Sequence, residues 1–280
     1  MGSVSPADKA ATFVSLHQNP GVFPIPNPWD IGSARLLEAL GFAALATTSS
    51  GFAQTLGRAD GAVTLDEKLQ HCRALTEATT VPITADLENG FADDPESVAD
   101  CIRQVIETGV VGGSIEDFTG DRFNPIYDFN LAVERVAAAV EAARACPFKF
   151  MLTARAEQQL RGDDDIEETI KRLQAYEAAG ADVLYAPGLK TLDEVRQVAD
   201  SVNKPLNVLG AAFAHHTVAE LGAAGAKRVS VGGGLSRLMA TAVIKAATGL
   251  HERGDLSWVE GLVPNSEMKR LFARWDKPDE

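Results

Sequence analysis

Cysteine is scarce: Cys72, Cys101 and Cys146 are the only three in 280 residues. They are far apart and odd in number, which suits neither a disulfide framework nor a zinc site, and a reducing cytoplasm is the expected compartment. Positive charge is short as well. Lys and Arg total 26 against 39 Asp and Glu, a formal net charge of −13. A surface this acidic repels phosphate backbones and anionic lipid faces, so neither nucleic acid nor a membrane is an expected partner. Long apolar runs are missing. The longest uncharged stretches, Ala10–Trp29 and Ala39–Gly57, are interrupted by prolines, glycines and hydroxyl residues, unlike a spanning helix. The first residues do not show the basic-then-apolar pattern of a secretory signal. Gly-x-Ser-x-Gly is absent, which removes a nucleophile elbow. No Gly-x-Gly-x-x-Gly follows the first apolar run, which argues against an open dinucleotide-binding sheet.

What is present is an alternation. Short apolar runs at Val22–Pro26, Phe42–Thr47, Pro82–Leu87, Gly113–Asp117, Phe148–Ala154, Asp182–Ala186, Pro205–Leu209 and Arg228–Val231 read as strands. Each is followed by a helical pattern: Ile31–Leu40, Leu65–Thr76, Pro95–Thr108, Leu131–Arg144, Asp165–Ala179, Leu192–Ser201, His216–Ala223 and Leu235–Leu250. Four joints repeat one device, a helix that ends in glycine just before a strand, at Gly41, Gly109, Gly180 and Gly225. Eight such units without a linker predict an α/β fold, a closed (β/α)8 TIM barrel over residues 1–250. Residues 251–280 form a tail, expected to be helical. Trp258, Leu262, Met268, Leu271, Phe272 and Trp275 must cover either this barrel or a neighbouring subunit.

In such a barrel the reactive groups sit at the C-terminal ends of the strands. Those ends read Thr47-Thr48-Ser49-Ser50-Gly51 with Asp60 beyond, Asp86-Leu87-Glu88-Asn89-Gly90, Glu116-Asp117, and Arg155-Ala156-Glu157. Asp86 and Glu88 are two apart, so an extended strand points both the same way. Glu116 ends the neighbouring strand. Three carboxylates at one mouth call for a hard divalent cation, Mg²⁺, with Mn²⁺ as the alternative. Arg155 offers a planar fork to a carboxylate or phosphonate, or an ion pair to Glu157 or Asp117. Ser49, Ser50 and Gly51 offer donors to an anion. Gly232-Gly233-Gly234 after the eighth strand reads as a phosphate cradle or a tight closing turn.

Other chemistries find little support. Lys149, Lys204 and Lys227 fall at strand beginnings, and Lys190, the one lysine placed on the catalytic side, reads as a surface residue rather than a Schiff-base former. His215 and His216 follow the seventh strand and read as helix-start or surface residues.

These segments resemble the isocitrate lyase/phosphoenolpyruvate mutase superfamily from about Asn27 to Leu250. The resemblance is carried by Asn27-Pro28-Trp29-Asp30 with Ser33-Ala34-Arg35, then Ser50-Gly51, Asp86-Leu87-Glu88-Asn89-Gly90-Phe91, Ile115-Glu116-Asp117 and Ala154-Arg155-Ala156-Glu157. It implies that Glu88 is an Mg²⁺ ligand, with Asp86 and Glu116 beside it. It also implies that Arg155 and the Ser50-Gly51 turn hold the carboxylate of a 2-oxo acid, and that Asp60 lies near the reacting carbon. The shared chemistry passes through a pyruvate enolate. Two departures stand out. The second acid of the Asp-x-Asp hallmark is Glu88. The Lys-Cys-Gly-His loop of the lyases is replaced by Phe118–Tyr127, which contains no cysteine. Decarboxylation of an oxaloacetate-like acid needs no acid at bond cleavage, so a C–C lyase or decarboxylase is the first expectation. A P–C bond enzyme is the alternative, with Arg122 and Asn124 gripping a phosphoryl group. A non-catalytic 2-oxo acid binder is the second alternative. The resemblance also implies a homo-oligomer, dimer or tetramer, with the eighth helix exchanged between subunits and the tail extending that arm.

Overall fold

The computed structural model describes residues 4–276. Residues 1–3 and 277–280, the outer ends of the expected barrel and tail, lie outside the described residues. The strands are β1 (Phe23–Ile25), β2 (Leu45–Ala46), β3 (Ile83–Asp86), β4 (Gly112–Glu116), β5 (Met151–Arg155), β6 (Val183–Tyr185), β7 (Leu206–Leu209) and β8 (Ala226–Ser230). All pairs are parallel, in the order β1-β8-β7-β6-β5-β4-β3-β2. Between β1 and β2 the ring is joined without a ladder. Ala46 N–H donates to Pro26 O at 3.1 Å, and Asn27 Nδ2 donates to Thr47 O at 3.0 Å. The expected TIM barrel is therefore present, with every strand where the alternation put it and its ends shifted by a few residues.

The helices are α1 (Pro6–Gln18), α2 (Ile31–Ala39), α3 (Ser49–Thr55), α4 (Leu65–Ala78), α5 (Pro95–Ile106), α6 (Phe129–Arg144), α7 (Ile166–Ala179), α8 (Leu192–Ser201), α9 (Val218–Ala223), α10 (Gly234–Arg253) and α11 (Asn265–Phe272). Their starts are written in the sequence. Thr64 with Glu67, Thr191 with Glu194 and Thr217 with Glu220 each close a reciprocal capping box at α4, α8 and α9. Their ends are too: Gly41, Gly109, Gly180 and Gly225 all take positive φ, between 87° and 107°.

Two helices were not foreseen. α3 begins inside the Ser-rich turn, where Thr48 caps Gly51 N–H. α1 precedes the barrel and plugs its bottom. Phe13 is fully buried against Ile25, Ala44, Val111, Met151 and Val183, and Lys9 Nζ donates to Thr76 O and Thr79 O at 2.9 and 2.8 Å. A larger apolar layer fills the space between the strands and the outer helices.

α10 runs to Arg253, past the expected boundary at residue 250. Of its 20 residues only Ser236 and Gly249 are buried, while Leu238, Met239, Val243, Ile244 and Leu250 are exposed. The tail divides. Trp258, Val259 and Leu262 remain exposed, but α11 returns to its own barrel. There Leu271 is buried, Arg274 pairs with Glu38 at 2.5 Å and the Arg35 guanidinium lies over the Trp275 ring. Among the described residues of the tail, it is thus the first half that is left free to reach a partner. Among the described residues no helix is long and apolar enough to cross a membrane. Cys72, Cys101 and Cys146 are all free thiols.

Candidate active site

Parallel strands bring their C-terminal ends to one mouth, and a cavity of about 200 Å³ opens there. Ser49, Ser50, Asp60, Asp86 and Arg155 line it, as do Tyr185, Asn207, Arg228, Ser230 and Gly233. Ser49, Ser50, Asp60, Asp86 and Arg155 come from the expected set.

Arg155 is the hub. It ends β5, in register with Glu116 on β4 and Tyr185 on β6. Its Nη1 meets Asp86 Oδ1 at 3.0 Å and its Nη2 meets Glu116 Oε2 at 3.0 Å. Nε and Nη2 both donate to Glu157 Oε1, at 2.9 and 2.7 Å. Burial works against its charge, but Glu116, Glu157 and Asp86 hold its pKa well above the usual arginine value. The salt bridge to Glu157 expected as one role of Arg155 is present. The one to Asp117 is not. Asp117 accepts instead from Tyr176 Oη at 2.6 Å, Arg172 Nη1 at 3.2 Å and Glu157 N–H at 2.8 Å, which ties β4 and β5 to α7.

Asp86 also accepts from Ser49 N–H at 2.9 Å. Burial alone would raise its pKa, but Arg155, then Lys68, then the Ser49 N–H outweigh it and hold it below the ordinary value. Glu88 does not share a strand face with Asp86, as the spacing suggested. β3 stops at Asp86 and the chain turns, with Gly90 N–H on Leu87 O at 2.8 Å and Glu88 itself at φ 51°. A non-glycine residue held there marks a constrained position. Burial, then the charges of Asp86 and Asp60, push the Glu88 carboxyl up to about 7. Asp60 is raised too, by burial first, against a hydrogen bond from Ser49. Glu116 lies apart from that group on the far side of Arg155, raised well above the carboxylate range by burial.

Among the described residues no three His, Cys, Asp or Glu side chains converge to ion-binding distance. The expected trio Asp86, Glu88 and Glu116 is divided because the Arg155 fork stands between Asp86 and Glu116, and because Glu88 sits on a turn. The donor chemistry still fits a hard divalent cation. Asp60, Asp86 and Glu88 offer only carboxylate oxygens, and burial, then the charges of Asp86 and Asp60, raise the Glu88 carboxyl.

The segment after Glu116 folds as a small hairpin. Phe118 bridges Ile126, and Thr119 N–H donates to Pro125 O at 2.9 Å. Arg122 and Asn124 are exposed on it and do not line the cavity. Gly233 lies so close to Ser50 that a Cβ there would fall 2.6 Å from the Ser50 hydroxyl. That supports the tight closing turn over the phosphate cradle. Lys190 pairs with Asp164 on the surface at 2.6 Å, and His215 and His216 are exposed, all as expected.

Beside the site, sequence reasoning missed two buried cations, Lys68 and Arg228. Lys68 is 1% exposed and donates to Thr47 Oγ1 at 2.9 Å. The signal was there, since Lys68, Cys72 and Leu75 share one face at i, i+4 and i+7. Arg228 is 4% exposed and lines the cavity floor. It lay in a segment read only as a strand.

Comparison with known proteins agrees with the fold. A family model described as phosphoenolpyruvate phosphomutase matches residues 13–251. A Burkholderia cenocepacia J2315 structure described as a lyase/mutase is 49% identical, with a TM-score of 0.92 and 96% of each chain covered. The oxaloacetate decarboxylase of Paraburkholderia xenovorans is 32% identical over 65% of this chain and 62% of its own length. The 2-methylisocitrate lyase of Escherichia coli is 30% identical over 62% of this chain and 60% of its own. The chain thus spans less than two thirds of these two enzymes. The barrel, the order of its acidic strand ends and the family match together lead to one statement: the chain belongs to the phosphoenolpyruvate phosphomutase family, in the isocitrate lyase/phosphoenolpyruvate mutase superfamily, where its relatives include lyases and a phosphonomutase.

Proposed function

We propose that the protein cleaves a C–C bond at C3 of a small 2-oxo or 2-hydroxy acid, with decarboxylation of an oxaloacetate-like acid as the leading case. The observation that carries this reading is Arg155, whose fork lies between Asp86 and Glu116 in the wall of a small polar cavity. Asp86 and Glu88 would hold Mg²⁺ (Mn²⁺ the alternative), with Asp60 beside them and Glu116 behind Arg155. When bound, the cation supplies Lewis-acid stabilisation of negative charge on an oxo-acid oxygen. The chain's own residues do the rest. Arg155, Ser49, Ser50 and the Gly51 turn orient the C1 carboxylate. Asp60, whose pKa is raised chiefly by burial, lines the same cavity and would lie near the reacting carbon. Loss of CO₂ leaves a pyruvate-type enolate and asks for no proton donor at cleavage, which suits a loop without cysteine. The P–C reading would need Arg122 and Asn124 over the cavity, and both stand exposed on the hairpin.

A turnover panel of oxaloacetate, phosphonopyruvate and branched malates, with and without Mg²⁺, tests the proposal. Mg²⁺-dependent cleavage of a C–C substrate is expected. Glu88→Gln should abolish most of it and most Mg²⁺ binding while the melting temperature holds. Turnover confined to phosphonopyruvate would hand the site to P–C chemistry. Unchanged Mg²⁺-dependent turnover in Glu88→Gln would remove that residue from the metal site.

We propose further that the protein is a homo-oligomer, a dimer or tetramer, in which α10 packs on a partner. The support is its apolar face, exposed from Leu238 to Leu250, with only Ser236 and Gly249 of the helix buried.

A further inference from the structure

The cavity floor holds a charge that the reaction as described does not use. Arg228 of β8 is buried, and no Asp or Glu among the described residues pairs with it. Its Nε donates to Asn207 Oδ1 at 2.8 Å and its Nη2 to Thr153 Oγ1 at 3.2 Å. Its Nη1 faces His17 Nε2 at 3.5 Å. His17 Nδ1 is committed to Phe13 O at 2.8 Å, so Nε2 is the accepting nitrogen of a neutral ring. Every partner is neutral, and two of the five guanidinium N–H donors are left without an acceptor. Burying an unmatched charge is costly, and proteins pair such charges unless a ligand completes them. Burial draws the pKa of Arg228 down to about 10, so it stays a cation at neutral pH.

The surroundings are built for an anion. Asn207 Nδ2 donates to Ser230 Oγ at 3.0 Å, and both residues line the same cavity as Arg228. Strand register sets Arg155, Tyr185, Asn207 and Arg228 in one hydrogen-bonded row across β5 to β8. One end of that row is the carboxylate-bound Arg155 and the other the unmatched Arg228. At about 200 Å³ the cavity suits an acid of a few carbons.

We propose that Arg228, with Asn207 and Ser230, is a specificity-determining subsite for a second carboxylate, so that the substrate is a short dicarboxylic oxo acid and not a monoacid. The inference rests on the 2-oxo acid reading and narrows it. It also explains the unforeseen α1, which delivers a neutral His17 beneath Arg228 where an acidic residue would have neutralised it.

The test is binding, measured by calorimetry on the full-length protein with Mg²⁺ present, and so does not depend on turnover. Oxaloacetate and malonate are the diacid probes and pyruvate is the monoacid. The wild type should prefer the diacids by about tenfold to a hundredfold, the worth of a charge-assisted hydrogen bond. Arg228→Gln keeps polar contact with Asn207 and should erase that preference while pyruvate binds as before. Arg228→Lys should restore part of it. Diacid preference retained in Arg228→Gln would overturn the assignment, as would a wild type that binds pyruvate as tightly as malonate. Diacid preference without turnover of any oxo acid would leave the subsite standing and remove the catalytic reading instead.

Discussion

Replacing Arg155 with lysine removes a fork and keeps a charge, which separates geometry from electrostatics. In the wild type that fork satisfies three carboxylates, Asp86, Glu116 and Glu157, at 2.7–3.0 Å. Glu157 is fully buried and Glu116 is 8% exposed. A lysine ammonium is a single centre and cannot reach all three, so at least one buried carboxylate loses its contact with this cation, while Arg161 stays 3.1 Å from Glu157 and 3.8 Å from Glu116. Breaking a buried pair costs about 3–5 kcal/mol. At about 2–4 °C per kcal/mol for a chain of this size, the melting temperature should fall by roughly 10 °C. The loss should persist in about 0.5 M salt, because buried pairs are poorly screened. Activity should fall by about tenfold to a hundredfold in kcat/KM on any accepted 2-oxo acid. Circular dichroism melts of Arg155→Lys, Glu157→Gln and the double variant measure the effect. Glu157→Gln should recover part of the loss in the Arg155→Lys background, since it removes the stranded charge. A single variant that melts with the wild type, and a double variant whose losses simply add, would refute the three-way bridge.

Burial, then the charge of Arg228, holds the His17 pKa down at about 3, against an ordinary value of 6.5. Between those values the unfolded chain binds a proton that the folded one refuses, so stability falls as pH drops from about 6.5 towards 3, by about 1.4 kcal/mol per pH unit from this one group. Urea midpoints across that range should fall less steeply for His17→Gln than for the wild type, and parallel curves would contradict the shift. The Phe118–Tyr127 hairpin directly follows the Glu116 strand end and is expected to close over the site as a gate, so it should become protease-resistant when Mg²⁺ and oxalate are added; equal cleavage in both states would refute that. On α10, Ile244→Asp should break the assembly or cause aggregation, since burying each such side chain is worth roughly 1.5–3 kcal/mol. A wild-type protein that sediments as a monomer at micromolar concentration would dispose of the exchanged helix.

Period and glycine made the barrel readable from sequence. The strands fell where apolar runs stood, and the capping boxes at Thr64, Thr191 and Thr217 began helices as their spacing required. The strand ends delivered Asp86, Glu116 and Arg155 to one mouth. What spacing does not carry is a turn. Glu88 was read as strand because the i, i+2 rule assumes that the strand continues, and the positive φ at Glu88 ends that assumption. α1 escaped because it belongs to no β/α unit. Its inward face, including Phe13 and His17, makes sense only against the closed floor above it. Arg228 escaped for a related reason. A charged residue inside a strand reads as a surface position until the barrel closes around it.

Asn27 holds the ring shut in a way that a ladder would not. Its Oδ1 accepts from Val231 and Gly232 N–H at 2.8 and 2.9 Å, while its Nδ2 donates to Thr47 O. One amide side chain thus clasps β1, β2 and the turn after β8. Where other junctions share several backbone bonds, this one has few, so it is where a breathing barrel parts first and where amide hydrogens should exchange soonest. Thr47 is also the residue whose hydroxyl accepts from Lys68 and from the backbone N–H of Asp86. A shift at the clasp would therefore reach Ser49 and the acidic wall within two residues.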